Sequence, residues 1–290
     1  MSSLKKYDPN TSLQTVCNWF QWCALDTWER IGFARTRKGL KIWETTLTQN
    51  LLINFHRSKQ LFGYQDADWL NIEVYEAVDE KTNGNDIELF VQTKDGPMFF
   101  AVQAKVIYHN TSTHGNGYYK QMKHLNTKGE QIDLLCDYAK KKKGIPLYLL
   151  YNWVNKVFDK KEKCKVHYDI SQYGCSIVDA LHIRSKYFNA GKWTIPTFLD
   201  LHPKPALPWF VIACCFTEMT KKEIKEMLGV AGLDYELRDY SIQDIKNDKD
   251  WKTFEPFEYL FDKVPKPKEL KPKMKFNPKF RIFISTNKPQ

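Results

Sequence analysis

The sequence predicts an α/β fold in which a mixed central sheet is flanked by helices. Three observations lead to this class. Apolar residues recur at helical spacing early in the chain, three strand-like runs follow, and a second helical pattern leads into "IPLYLLYN", residues 145–152. That short apolar run is typical of a strand buried on both faces. We expect an α-helical addition at the N-terminus and mixed additions at the C-terminus.

At least two helices are predicted before the first strand, with one or two of them over residues 12–34. Residues 12–34, "SLQTVCNWFQWCALDTWERIGFA", space apolar groups at helical intervals, and Gly39 interrupts the pattern. A further helix is expected over 44–58, "ETTLTQNLLINFHRS". Its inner stripe consists of Leu47, Leu51, Leu52 and Phe55.

Strand-like runs fill the middle of the chain. They are "WLNIEVYEAV", "DIELFVQTK" and "MFFAVQAKVIY", with turn residues between them. Thr127 followed by Glu130 forms a capping-box pattern, which predicts a helix that ends near Lys143. The predicted order is therefore helix, three strands, helix, strand.

The later half of the chain carries weaker patterns. We expect a helix in "CSIVDALHIRSKYF", a strand in "LPWFVIACC" and a threonine-capped helix in "TKKEIKEMLGV". The expected organisation is an N-terminal helical extension (1–43), a core (44–152), a C-terminal elaboration packed on that core (153–262) and a basic, proline-rich tail (263–290).

The charge of the chain favours a polyanionic partner. The formal net charge is +10 with a pI near 9.1, and its densest source is the segment "DKVPKPKELKPKMKFNPKFR". Lysines that alternate with prolines make an extended, basic tail, which either remains in solvent or contacts nucleic acid. The nucleic-acid alternative assigns phosphate contacts to Lys266, Lys268, Lys271 and Lys273.

Cysteine usage and hydropathy indicate a cytoplasmic protein. The seven cysteines are scattered, odd in number and form no CxxC pair, so we expect mostly buried thiols rather than zinc ligands or disulfides. No apolar run approaches the roughly 18 residues of a transmembrane helix, and "MSSLKKYDPN" does not resemble a signal peptide. No membrane association is expected.

Polar side chains interrupt the predicted hairpin "GNDIELFVQTKDGPMFFAVQAK". A turn centred on Asp95-Gly96 would place Glu88 opposite Gln103 and Asp86 opposite Lys105. Because side chains alternate along a strand, all four would project from one face. Two carboxylates, an amide and a lysine are unfavourable to bury without partners, so they suggest a site for a divalent cation and a phosphate. The alternative is a sheet face with ion pairs.

Glu44 favours the site interpretation. It precedes Leu47 by one helical turn and therefore projects from the apolar stripe of its helix. A carboxylate there also interacts favourably with the helix dipole. Its place just before an acidic sheet face indicates a member of the same site.

Together these features resemble the PD-(D/E)xK, or restriction-endonuclease-like, nuclease superfamily. "ETTLTQNLL", "NGNDIEL", "VQAK" and "GEQIDLL" are similar to an uncharacterised bacterial group within it, best over residues 44–152. The resemblance implies an αβββαβ core. By the same resemblance Asp86 is the metal-binding aspartate, Gln103 stands at the usual Glu/Asp position, Lys105 is the motif lysine, Glu44 is the helix carboxylate and Gln131 is a helix glutamine near the substrate.

Gln103 departs from the usual motif. A neutral amide binds a metal more weakly than a carboxylate, although Glu88 opposite it would restore the charge. The implied function is a Mg²⁺- or Mn²⁺-dependent endonuclease, with double-stranded DNA as substrate and a setting in restriction or anti-phage defence, acting as a homodimer or with a defence partner protein. The alternative is a degenerate nuclease fold that binds nucleic acid or a protein.

A second polar cluster lies directly after the Lys105 strand. "HNTSTHGN" places four polar residues close together in sequence: His109, Asn110, His114 and Asn116. Such a cluster suggests a His-Asn nuclease or a metal site as an alternative. Its spacing fits no such motif, and we interpret it as a polar loop.

Overall fold

The computed structural model describes residues 16–37, 39–62, 70–77, 86–109, 117–122, 125–126, 129–155, 170–188, 194–230, 233–253 and 278–286. Within these ranges the chain forms a mixed α/β structure with an eight-stranded sheet flanked by helices, so the predicted fold class is confirmed. The described helices contain no segment long and apolar enough to cross a membrane.

The helices follow from capping and apolar periodicity. Both N-terminal helices are present, and the threonine-capped helix begins after Thr220 with a complete capping box. The helix after the predicted Thr127 box begins at Gln131, and its N-cap Glu130 makes no side-chain capping bond; Thr127 lies outside the described residues. The helices are α1 Val16–Thr36, α2 Glu44–Phe62, α3 Gln131–Lys141, α4 Ala180–Tyr187, α5 Phe198–Leu201, α6 Val211–Cys214, α7 Lys221–Leu228 and α8 Ile242–Lys246.

The strands form one large sheet and a small separate pair. They are β1 Leu70–Ala77, β2 Asp86–Thr93, β3 Gly96–Val106, β4 Leu125–Asn126, β5 Gly129–Glu130, β6 Ile145–Tyr151, β7 Cys175–Asp179, β8 Leu207–Pro208, β9 Trp251–Thr253 and β10 Phe280–Thr286. The large sheet has the order β8-β7-β6-β3-β2-β10-β1-β9, and β4 pairs with β5. β3 runs parallel to β6 and antiparallel to β2.

The end of the chain contributes a central strand. Residues 263–290 were predicted to be a basic tail, but β10 lies between β1 and β2, antiparallel to the first and parallel to the second. The segment "FRIFIST" explains this, because Phe280, Ile282 and Ile284 fill one face of a buried strand, while Arg281 and Phe283 are buried on the other. The three strands of the predicted core therefore do not form a simple meander.

Two predictions in the later half were wrong. "CSIVDALHIRSKYF" is a strand followed by a helix, because Asp179 ends β7 and caps α4 by accepting bonds from Leu181 N and His182 N. "LPWFVIACC" contains only the short strand β8 and then turns into α6.

The two faces of the sheet are covered differently. On one face α1 and α2 pack against alternate residues of the central strands, and α3 lies on the other face, against β3 and β6. The α1–α2 face surrounds a small cavity whose lining is apolar except for Thr48; the lining residues are Phe20, Thr48, Leu51, Leu52, Phe55, Ile87, Leu89, Val102, Leu149, Ile177, Trp209, Ile212 and Ile282.

One pair of cysteines departs from the expectation of free thiols. Cys17 in α1 and Cys214 in α6 are joined by a disulfide across a sequence separation of 197 residues. Cys23, Cys136 and Cys175 are buried free thiols, as predicted. The sequence could not indicate the pair, because only packing of α6 against α1 brings the two residues together.

Candidate functional site

The hairpin of β2 and β3 differs in register from the prediction. Its loop consists of Lys94 and Asp95, with Thr93 paired to Gly96, whose φ of +103° is the conformation that favours glycine. The true register is displaced by two residues from the predicted one. The predicted pairing, of Glu88 with Gln103 and of Asp86 with Lys105, was therefore wrong; the structure pairs Asp86 with Gln103 and Glu88 with Ala101. A displacement by two preserves the face on which each side chain lies, so all four still share one face.

Asp86 and Gln103 are the paired residues at the start of β2. The amide Nε2 of Gln103 donates to Oδ1 of Asp86 at 3.0 Å. The side chains are buried, with 7 % exposure for Asp86 and 1 % for Gln103. Among the described residues no group donates to the Gln103 Oε1 atom. Burying a carbonyl oxygen without a hydrogen-bond donor costs free energy, unless a cation, a water molecule or a ligand interacts with that oxygen.

Tyr148 adds a second buried polar atom beside Gln103. The two residues are paired across β3 and β6 and so lie on the same face. The Tyr148 hydroxyl also has no hydrogen-bond partner among the described residues. Burial raises its pKa well above the ordinary value, and Cys136, Asp86 and Glu44 raise it further. Tyr148 was not predicted as a site residue, although a hydroxyl in the middle of a buried apolar strand was a usable signal.

Lys105 lies two residues beyond Gln103 on the same face. Its side chain is only 3 % exposed, and Nζ donates to Oε1 of Gln131 at 2.8 Å. Gln131 is the first residue of α3, so this helix positions the amide that holds the ammonium group. The two residues that the resemblance assigns to the motif lysine and the helix glutamine are therefore in direct contact, while their roles stay predictions.

Glu44 is the first residue of α2, and it approaches from the other side of the sheet. Thr48, one turn later, exchanges a 2.9 Å hydrogen bond with the hydroxyl of Tyr151, at the end of β6. Although α2 packs on the face opposite Asp86, the charge of Glu44 raises the pKa of Tyr148, which lies on the Asp86 face. It also raises the pKa of Tyr151 and Tyr108, and for all three tyrosines burial is the main cause. The placement of Glu44 over the acidic face therefore stays a prediction.

Glu88 belongs to a different cluster. Its Oε2 accepts from Nε and Nη2 of Arg281 at 2.9 and 2.6 Å, and its Oε1 accepts from the Tyr138 hydroxyl at 2.5 Å. Arg281 also donates to Asp248 and to the Ile245 carbonyl. These bonds neutralise Glu88, so it does not replace the charge that Gln103 lacks. Its role is structural, and its partner Arg281 was missed because β10 was read as a tail.

The donor set fits a divalent cation only in part. Among the described residues there is no group of three or more His, Cys, Asp or Glu side chains placed to hold a metal ion. The site offers instead the Asp86 carboxylate and the Gln103 carbonyl oxygen, with the Glu44 carboxylate nearby. Oxygen donors of these kinds suit Mg²⁺ or Mn²⁺, which retain several water ligands in protein sites.

Comparison with known protein families gives one result. Residues 16–272 match the family described as "Family of unknown function (DUF6615)", a span of most of the chain. The chain belongs to this family. The DUF6615 match includes every residue of the candidate site and ends before β10. No curated protein and no solved structure matches the chain.

The remaining predicted residues lie apart from this site or outside the described part of the chain. Lys266, Lys268, Lys271 and Lys273 are among the residues that the structure does not describe, as are Asn110, His114 and Asn116. His109 is half-buried against the Trp153 ring. Burial, which is the larger cause, and the Arg35 charge, which is the smaller one, lower the pKa of His109 to about 4, so its ring is neutral at pH 7.

Proposed function

We propose that this DUF6615 member is a Mg²⁺- or Mn²⁺-dependent nuclease that hydrolyses phosphodiester bonds, most directly in DNA. One observation carries the proposal. The buried Gln103 Oε1 has no donor among the described residues, and it lies on one sheet face with the Asp86 carboxylate and the Lys105 ammonium. Metal-dependent phosphodiester hydrolysis requires oxygen ligands for the metal ion and a positive charge near the phosphate, and these three residues supply both.

The residues of the proposed site have different roles. Asp86 and the Gln103 carbonyl would hold the metal, and Glu44 would contribute a carboxylate from the N-terminus of α2. When bound, such a cation lowers the pKa of its water and stabilises charge on the phosphate. Gln103 Nε2 holds Asp86 in place by its hydrogen bond, and Tyr148 is the cross-strand neighbour of Gln103 on the same face.

Lys105 serves as the fixed positive charge. Its hydrogen bond to Gln131 restricts the ammonium group, and its burial keeps water from screening it. From this position it would orient the attacking water or neutralise charge that develops on the phosphate. Gln131 acts through Lys105 and is therefore a positioning residue.

A second candidate function is a nucleic-acid-binding or protein-binding module on a degenerate nuclease fold. The hydrogen bond from Gln103 to Asp86 favours it, because the amide stabilises the carboxylate without any metal. The lack of a three-carboxylate or histidine cluster among the described residues points the same way. By analogy of fold alone, either function would belong to cytoplasmic defence against foreign DNA.

Purified protein incubated with supercoiled plasmid tests the proposal. Nicked or linear DNA should form with Mn²⁺ and not with EDTA, and Asp86→Asn should abolish its formation. Asp250→Asn is the matched control, since Asp250 is exposed and remote in sequence from the site. Equal cleavage by the Asp86 and Asp250 variants would exclude the proposed site, and no cleavage by wild type of either the plasmid or a single-stranded circular DNA would favour the binding module.

A further inference from the structure

An exposed aromatic and basic surface lies directly before Glu44. Among the described residues the large apolar side chains with at least 50 % exposure are Phe33, Leu40 and Trp43, at 57, 50 and 56 %. All three fall within the eleven positions 33–43, which contain four basic residues and no acidic one. We define the 33–43 surface by five of its exposed side chains, which are Phe33, Arg37, Leu40, Lys41 and Trp43.

Two anchors fix this surface at the same end of the sheet as the candidate site. Arg35 Nη2 donates to the carbonyl of Ile107 at 2.8 Å, two residues beyond Lys105. The carbonyl of Trp43 accepts from Leu47 N at 3.2 Å, which holds Trp43 at the N-terminus of α2 beside Glu44. The surface is thus attached to the residue that follows β3 and to the start of α2, close to where both elements contribute to the site.

We infer that the 33–43 surface binds single-stranded nucleic acid and directs it to the site described above; this inference rests on the proposed nuclease function. Exposed rings stack on unpaired bases, and stacking tolerates any sequence because every base has a π-face. The guanidinium of Arg37 lies 5.0 Å from the centre of the Phe33 ring, so a charge that can pair with phosphate accompanies the ring. A duplex keeps its bases stacked internally and cannot use exposed rings in this way.

Binding of labelled oligonucleotides in EDTA tests the inference without cleavage. The probes are a mixed-sequence DNA strand, the same strand in a duplex and an RNA strand of that sequence, followed by fluorescence anisotropy. We expect the single strands to bind more tightly than the duplex, and the two single strands distinguish a DNA from an RNA preference. Trp43→Ala and Phe33→Ala should each weaken single-strand binding roughly tenfold.

Matched variants separate stacking and charge from general apolar contact. Trp43→Phe keeps a ring and should bind nearly as wild type does, and Leu199→Ala removes an exposed apolar side chain elsewhere and should have no effect. Lys41→Ala should reduce the dependence of log affinity on log salt by about 0.7, the value for one phosphate contact on a single strand. Lys222→Ala, at an exposed position on α7, should leave that slope unchanged.

The outcomes distinguish this inference from the proposed function. Ring-dependent binding of single strands without metal-dependent cleavage would support the surface and contradict the nuclease. Cleavage that requires Asp86, with single-strand affinity unaffected by Trp43→Ala and Phe33→Ala, would overturn the surface and leave the nuclease intact. Equal affinity for duplex and single strand, or a change in self-association of the Trp43→Ala protein on sedimentation, would also overturn it.

Discussion

Arg281 and Glu88 form a buried ion pair between neighbouring parallel strands, although 193 residues separate them in sequence. Both side chains are nearly inaccessible, with 2 and 1 % exposure. The guanidinium also lies 5.1 Å from the centre of the Phe90 ring and 4.4 Å from that of Trp251. The pair therefore fixes β10 in the middle of the sheet and removes Glu88 from the candidate metal site.

Replacing Arg281 by methionine should strongly destabilise the fold. The change leaves the Glu88 carboxylate buried without its cation, which costs about 3–5 kcal/mol of unfolding free energy. Urea unfolding followed by circular dichroism measures the difference. The control is Arg184→Met, which removes an exposed pair with Asp133 and should cost at most about 1 kcal/mol. Equal losses in the two variants would show that the buried pair has no special role.

Local sequence patterns predicted the helices and strands near the site. They could not predict which strands pair when the two strands are distant in sequence. The αβββαβ order and the shared face of Asp86, Gln103 and Lys105 followed from periodicity, which survives a register change of two residues. The position of β10 did not follow, because nothing near Arg281 in the sequence indicates that Glu88 is its partner. The loop of the hairpin was misplaced because the glycine that needs a positive φ follows the two loop residues.

Gln103→Glu should make the protein more dependent on metal for stability. A second carboxylate beside Asp86 repels it in the metal-free protein and attracts a divalent cation more strongly. We expect a lower melting temperature than wild type in EDTA and a larger rise on addition of Mn²⁺, measured by scanning fluorimetry. Combining it with Asp86→Asn should reduce that rise. A Mn²⁺ response equal to that of wild type would argue against a cation beside Gln103.

Asp179→Asn should stabilise the protein near neutral pH. Burial raises the pKa of the Asp179 carboxyl from 3.8 to about 6, although bonds from Leu181 N and His182 N oppose the effect. The folded state therefore binds a proton more tightly than the unfolded state, and unfolding free energy falls as pH rises from about 4 to 6, by about 3 kcal/mol in total. Asparagine keeps a capping oxygen and does not titrate. Denaturant unfolding should show a gain at pH 7 and little difference at pH 4; a loss at pH 7 would contradict the account.

The Cys17–Cys214 disulfide should contribute measurably to stability. Reduction releases a cross-link over 197 residues and should lower the unfolding free energy by about 2–5 kcal/mol. Cys214→Ser should remove the effect of reductant, whereas Cys215→Ser should retain it. Alkylation in denaturant without reductant should leave at least two cysteines unmodified. Modification of all seven in freshly purified protein would show that the bond is absent.

Calorimetric titration with Mn²⁺ should separate the roles of Asp86 and Lys105. Asp86→Ala removes a charged ligand, so metal affinity should fall. Lys105→Ala removes a buried positive charge on the same face, so metal binding should persist or tighten. Equal loss of binding in both variants would show that Lys105 supports the fold of the site rather than the chemistry.

Plasmid cleavage by these two variants tests the central claim most directly. Wild type should cleave with Mn²⁺ and not with EDTA. Asp86→Ala and Lys105→Ala should each be at least about a hundredfold slower, since each lost group removes roughly 3 kcal/mol of transition-state stabilisation. High Mn²⁺ should partly restore Asp86→Ala and should not restore Lys105→Ala. Cleavage by both variants at the wild-type rate would contradict the account, and would make Asp86, Gln103 and Lys105 structural members of a polar sheet face.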